Sequence, residues 1–198
     1  KKNLTPLKYK KSISKIKLKE ANINLIKFQP EGKTFLRGIN NYIPGSGFLD
    51  AFEDNLVILS STGIIAQAKY NNEGLFFNQI KNNLDKFIEI NQFKKNRWFS
   101  FKDLLIDEKN IYVSFTNEVT KDCWNTSILY GKFNFTNINF EPLFSPKECV
   151  NSKNNIDKVF NAHQSGGRIK SLDSNYLIFS TGEYRQRYLA QKKDSHMG

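Results

Sequence analysis

Apolar and polar positions alternate with period two along much of the chain, and three of the alternating segments resemble one another. They are GFLDAFEDNLVILSS from Gly47, FSFKDLLIDEKNIYVSFT from Phe99 and GGRIKSLDSNYLIFSTG from Gly166. Each holds an apolar approach strand, a polar turn with Asn, and a second β-rich strand. The alternations Leu56, Ile58, Ser60, then Ile111, Val113, Phe115, then Tyr176, Ile178, Ser180 predict one face of each strand turned to a core. The turns Asp54-Asn55, Glu108-Lys109-Asn110 and Asp173-Ser174-Asn175 carry residues that tolerate tight backbone geometry. Between the copies lie GIIAQAKY from Gly63, GLFFNQI from Gly74, TSILYGKF from Thr126 and INFEPLF from Ile138, which predict the outer strands of two blades. The turn asparagines fall 55 and then 65 residues apart, a period that fits four-stranded blades with loop insertions. Helical periodicity is poor. Even the basic stretch Lys8 to Glu20 alternates Ile and Lys more like an edge strand than a helix. The expected fold is all-β, a partial β-propeller of about three blades, with the third only beginning its outer half after Glu183. A β-sandwich also fits short strands separated by turns, and the long period favours the propeller over it.

Charge changes this picture little. The formal net charge is +11, but eight Lys stand against one Glu in the first twenty residues, so the body is nearly balanced. Residues 1–20 therefore read as a solvated basic lead-in and 21–198 as the propeller domain, with an anion-binding arm as the alternative reading of the lead-in. No nucleic-acid partner is expected from so local a charge. No apolar run approaches the ~18 residues of a spanning helix. The two cysteines, Cys123 and Cys149, are 26 residues apart in one expected blade. They are either a disulfide, worth about 3 kcal/mol in the loop-closure picture, or two independent buried thiols. A bridge would place the protein in a periplasmic or extracellular compartment.

The segment NAHQSGGRIKSLDSNYLIFSTGEYRQRYLAQ, Asn161 to Gln191, is the richest in candidate chemistry. A histidine just before a Gly-Gly turn that opens an inner strand would stand at the mouth of a propeller channel. His163 could act there as a general base near neutral pH. Glu183, at the end of the paired strand, returns to the same rim and could orient the imidazole. Each has a plainer reading: a hydrogen-bonded turn histidine, and for Gly166 and Gly167 a permissive backbone or bulge. Arg168, Arg185 and Arg187 could meet a sugar or an anionic cofactor, or bridge blades. Tyr184 and Tyr188 could stack on a ring or pack between blades. No phosphate loop, metal-spaced histidine pair or zinc-type cysteine cluster occurs, so no metal-binding residue is proposed on this chain. His196 reads as a surface residue.

HQSGGRI at His163 to Ile169 and STGEYRQR at Ser180 to Arg187 resemble the His-Gln-Ser-Gly-Arg, strand, Thr-Ile-Gly-Asp-Gln pattern of the soluble PQQ-dependent glucose/sorbosone and aldose sugar dehydrogenases. The resemblance implies a six-bladed propeller, of which about half is present, with PQQ and calcium held over its axis mostly by residues outside this chain. It implies a small sugar or polyol substrate, an electron acceptor it does not identify, His163 as the base and Glu183 as its partner. Gln164 and Arg168 are weaker candidates for binding substrate or cofactor. Two departures stand out: Gly167 is an extra glycine, and Glu183 replaces Asp. Neither Arg97 nor Trp98 matches the polar contact the family places near that point, so neither is assigned a function. The alternative is a non-catalytic propeller that binds a carbohydrate or a protein on the same face.

Overall fold

The computed structural model describes residues 9–30, 47–60, 63–69, 77–173 and 175–197. Of the expected features, residues 1–8 of the basic lead-in, Tyr70 of the first outer strand, residues 74–76 of the second and Ser174 of the third turn lie outside them. Fourteen strands and three short 3-10 segments make up the regular structure among the described residues. The fold is all-β and propeller-like. Its elements are β1 (Tyr9–Lys17), β2 (Asn22–Pro30), β3 (Gly47–Phe52), β4 (Asn55–Ser60), β5 (Ile65–Lys69), β6 (Asn78–Asn82), β7 (Phe101–Asp107), β8 (Asn110–Thr120), β9 (Cys123–Lys132), β10 (Asn137–Ile138), β11 (Phe140–Phe144), β12 (Val150–Asn151), β13 (Gly166–Ser171) and β14 (Leu177–Thr181).

In the second repeat the predicted face, Ile111, Val113 and Phe115, is the one in the core. In the first the core takes Val57 and Leu59 from the opposite face, Leu56 is half-buried, and Ile58 and Ser60 are buried on the other side of the same strand. β3 pairs antiparallel with β4 and β7 with β8, and each hairpin turns on two residues. The first of these, Glu53 in one and Glu108 in the other, has positive φ, at 52° and 51°. Val57, Leu59, Ile65 and Ile80 are fully buried in the first blade; Phe101, Ile111, Val113, Phe115, Trp124 and Leu129 fill the second. The sheets run β10-β6-β5-β4-β3 and β11-β9-β8-β7.

Carboxylates join neighbouring inner strands. Asp50 Oδ2 on β3 accepts the Ile106 N–H of β7 at 2.6 Å, and Asp103 Oδ2 on β7 accepts the Ile169 N–H of β13 at 2.8 Å. Ser171 Oγ donates to Asp107 Oδ2 at 2.8 Å. Each charged acceptor thus satisfies a group at a blade boundary, where an unpaired buried donor would cost about 1–3 kcal/mol. The order of these contacts sets β13 running in the same direction as β7, as inner strands of successive blades do.

Three further expectations need correcting. Tyr176 and Ile178 do not face a core: they are 65% and 55% exposed, because no described element packs on that face of β13 and β14. INFEPLF does not form one outer strand of blade two. Asn137–Ile138 adds in parallel to β6 of blade one, while Phe140–Phe144 pairs with β9, and Asn83 clamps the junction through both the N–H and the C=O of Phe140. After Glu183 no further strand follows among the described residues. The segment instead packs back on blade two, where Ser195 Oγ and His196 N–H donate to Glu148 Oε2 and Met197 is buried. His196 itself is exposed, with its ring 5.7 Å from that of Phe144.

The basic stretch is a strand, β1, but it has a partner that the sequence reading missed: β2 pairs with it from Lys17↔Asn22 to Tyr9↔Pro30. Residue 20 lies in the connection between them. Ile13, Ile16, Ile23 and Leu25 remain 40% or more exposed on this hairpin.

Candidate functional site

Two loops meet at one end of blade three. The first, Asn161 to Ser165, leads into β13; the second, Gly182 to Gln186, leaves β14. Backbone bonds run both ways between them: Asn161 N–H donates to Tyr184 O at 2.9 Å, and Tyr184 N–H donates to Gln164 O at 3.1 Å. The approach is so close that a Cβ on Gly182 would lie 2.2 Å from Gln164 O. Glycine is therefore the residue that lets the second loop lie against the first.

Tyr184 anchors the pair from below. It is fully buried, its hydroxyl donates to Asn125 O at 2.7 Å and lies 3.1 Å from Thr126 Oγ1, and Phe160 stacks on its ring at 5.3 Å. Burial holds its phenol far above the usual tyrosine range. Thr126 Oγ1 donates in turn to Ser165 O at 2.6 Å, so β9 of blade two carries both loops. Tyr184 and Arg185 both adopt positive φ, 51° and 74°. Such backbone costs of order 1 kcal/mol or more per residue, and the buried Tyr184 is what holds it in place.

His163 is exposed at the tip of the first loop, its N–H bonded to Asn161 Oδ1 at 3.0 Å. Glu183 is half-buried on the second loop, and its carbonyl accepts Gln186 N–H. The structure brings the two loops together without joining the two side chains: no hydrogen bond or ion pair links imidazole to carboxylate. The ring against His163 belongs to Trp98, edge-on at a centroid distance of 4.5 Å, with the Arg97 guanidinium 5.0 Å from the indole. Gln164 has an exposed side chain and serves the loop through its backbone. Arg168 reaches across to β7 and pairs with Asp103 Oδ1 at 3.0 Å, while its side chain stays 76% exposed. That is the blade-bridging arrangement.

The extra glycine is absorbed as an irregularity. The β13–β14 register shifts between Gly166 and Ile169, with Gly166 at φ +68° and Gly167 at φ +112°. A Cβ on Gly167 would sit 2.3 Å from Lys102 Cβ, and Ser114 Oγ donates to Gly167 O. Lys102 also donates from Nζ to Trp98 O at 2.6 Å, and burial lowers its ammonium to about 8. Sequence reasoning assigned nothing to Trp98 or Lys102. A signal for Trp98 was present: Asn96-Arg97-Trp98 stands before β7 as Asn161-Ala162-His163 stands before β13, three residues ahead of the strand in each case.

Cys123 and Cys149 form a disulfide, which ties the start of β9 to the segment leading into β12. Beside it on the same rim opens a cleft of about 650 Å3 among Lys95, Phe99, Lys121, Trp124, Lys153 and Phe160; neither His163 nor Glu183 lines it. Among the described residues no three of His, Cys, Asp and Glu gather to hold a metal ion, and no helix is long and apolar enough to cross a membrane.

No family model matches the chain, and no curated protein does. Solved structures do. A glucose dehydrogenase superposes with a TM-score of 0.51 over 76% of this chain and 44% of its own, at 18% identity. A second structure, described as a crystal structure of glucose dehydrogenase, gives 0.52 over 76% and 41%, also at 18%. The chain thus shares a fold with these proteins and spans less than half of their length.

Proposed function

We propose that this chain is part of a sugar dehydrogenase-like oxidoreductase of the PQQ type, a six-bladed propeller of which these blades are about half, with His163 as the base. The observation that carries the reading is the exposed imidazole of His163 on a rim loop bolted by reciprocal backbone bonds to the Glu183 loop. The fold shared with structures named glucose dehydrogenase supports it. His163 would take the proton of the sugar C1 hydroxyl, leaving a C=O at that carbon. A bound quinone would supply the hydride acceptor, the usual division of labour between cofactor and protein.

The residues present fit that cofactor in part. Exposed Arg97, Arg185 and Arg187 offer guanidinium groups for the carboxylates of an anionic ring system. Among the described residues no three acidic, histidine or cysteine side chains gather as a metal site, and the resemblance assigns most of the calcium and cofactor contacts to residues outside this chain. With no carboxylate on the imidazole, the ring packed against it is the indole of Trp98. The disulfide supports a periplasmic or extracellular setting.

The test is a titration of PQQ with calcium into the product of the full reading frame, followed by dye reduction with a panel of aldoses. Turnover that needs the cofactor and is lost in His163→Ala supports the reading. A folded protein that neither binds PQQ nor reduces dye removes it. The second reading, a non-catalytic module binding carbohydrate or protein, draws on the imidazole lying against Trp98 rather than Glu183. A protein that binds aldoses, needs no cofactor and transfers no electrons would favour it.

A further inference from the structure

We infer that Lys102 is a positioning residue for the His163 site: it fixes Trp98 as the wall against which the imidazole rests. This goes deeper into the dehydrogenase reading and rests on it for its catalytic meaning, although the positioning itself is a structural claim.

The approach to β7 and the extra glycine of β13 meet at Lys102. Its ammonium is bonded to the carbonyl of Trp98. Its stem lies under Gly167, the extra glycine, so closely that no larger residue fits there in the same backbone. Trp98 then meets His163 edge to ring. One side chain thus spans the start of β7, the approach to β7 and the start of β13. Removing it would loosen the indole on one side and the base of the His163 loop on the other. A charged donor on a carbonyl is stronger and more directional than a neutral one, which suits it to holding a loop residue still.

The ammonium titrates at about 8, lowered by burial, so its charge is only partly retained in mildly alkaline solution. The charged groups around it are Arg97, which lies over Trp98, the adjacent Asp103 on β7, Arg168 on β13, which is paired with that Asp103, and the titratable His163 itself. The indole's surroundings should therefore change with a midpoint near pH 8.

The experiment uses the full chain and its small number of reporters, two histidines and two tryptophans. Wild type, Lys102→Met and Lys102→Arg are compared by the His163 ring-proton resonances and by tryptophan fluorescence across pH 6 to 10. Lys102→Met keeps most of the stem and loses the ammonium; Lys102→Arg keeps a charge. The expected result is a displacement of the His163 resonances in Lys102→Met that Lys102→Arg largely restores, with the step near pH 8 present only in wild type. Intact thermal unfolding of Lys102→Met, with His163 resonances and fluorescence unchanged, would overturn the inference. If Lys102→Met does not fold, Trp98→Phe with Lys102 intact takes its place, and unchanged His163 resonances there overturn it equally. Where dye reduction is found, Lys102→Met should lower kcat more than it raises KM. Where none is found but the resonances move, the positioning stands and the dehydrogenase reading falls.

Discussion

The approaches to β7 and to β13 are the same local device with different contents. In each, an asparagine turns the chain and its Oδ1 accepts the N–H two residues on: Asn96 from Trp98 and Asn161 from His163, both at 3.0 Å. In each, the asparagine carbonyl also accepts the N–H three residues on, from Phe99 at 3.1 Å and Gln164 at 3.0 Å. Side-chain-to-backbone bonds of this kind fix a turn locally, whatever residue the turn displays. Blade two displays an indole and blade three an imidazole, and the packing of the two blades brings them together. The repeat builds the shelf; one residue choice per blade decides what stands on it.

What lies beneath the two shelves differs. Phe99, next to Trp98, stacks on buried Trp124 at 3.6 Å, inside a five-stranded sheet further tied by a disulfide. The His163 loop belongs to a two-stranded blade and depends on Gly182, Tyr184 and backbone bonds to β9. The sharpest way to break the comparison is therefore Gly182→Val. Its side chain would collide with Gln164 O and force the two rim loops apart, and overpacking of this kind costs ~1–3 kcal/mol or more. We expect a large drop in melting temperature with loss of the His163 resonance position, while Trp124 fluorescence keeps its native value. Unfolding of both blades together would show that blade two is not independent of the rim. Next in size is Cys123→Ser with Cys149→Ser, expected to cost about 3 kcal/mol in chemical denaturation. It weakens blade two while leaving the folded His163 loop unchanged. Tyr184→Phe follows, at about 1–3 kcal/mol for stranding the buried Asn125 carbonyl.

The same contrast explains how much could be read from the sequence. The hairpins of blades one and two were legible from their strand–turn–strand pattern. The face in the core was legible in blade two, at Ile111, Val113 and Phe115, and not in blade one, where β4 is buried on both sides from Val57 to Ser60. In blade three the alternation of Tyr176 and Ile178 is equally clear, yet both residues are exposed. Alternation reports which face is apolar and cannot report whether anything covers it. β2 was missed because NINLIKFQP sits beside a charge-rich stretch and the connection Leu18-Lys19-Glu20-Ala21 carries none of the Gly, Pro, Asn or Asp residues that mark a hairpin turn. At the site, His163 and Glu183 could be found from the motif, and the loops that carry them do meet. Their side-chain separation could not, since it depends on αL backbone at Tyr184 and Arg185, two residues that do not advertise that conformation. Lys102 was invisible for a similar reason: only the three-dimensional crossing of β7 and β13 gives a lysine in a strand two partners on a rim.

A smaller effect sharpens the equivalence of the two turns. Asn96→Ala and Asn161→Ala each remove one side-chain acceptor from the same position of the same turn, and each should cost about 1 kcal/mol. Their readouts should separate: Asn161→Ala moves the His163 backbone amide, and Asn96→Ala moves Trp98. Because the two rings touch, each variant should also disturb the other ring slightly, and a double variant should fall short of additivity. Strict additivity with no cross-effect would mean that the rings are neighbours without being coupled.

A pH dependence tests the Lys102 contact from another side, and its sign follows from the lowered ammonium. Folding lowers this ammonium to about 8, below the ordinary lysine value, so between those two pH values the unfolded chain binds more protons than the folded one. Stability attributable to Lys102 therefore rises with pH across that window, and below pH 8 the full cost of keeping the buried charge is present. Lys102→Met removes this dependence, whereas every other titrating group is common to both proteins. The difference in unfolding free energy, mutant minus wild type, should fall as pH rises from 8 to 10. A difference that stays flat would show that the ammonium keeps its ordinary affinity for protons in the folded chain. The bond to Trp98 would then be made by a solvated lysine, and the two rim turns would be held only by their own asparagines.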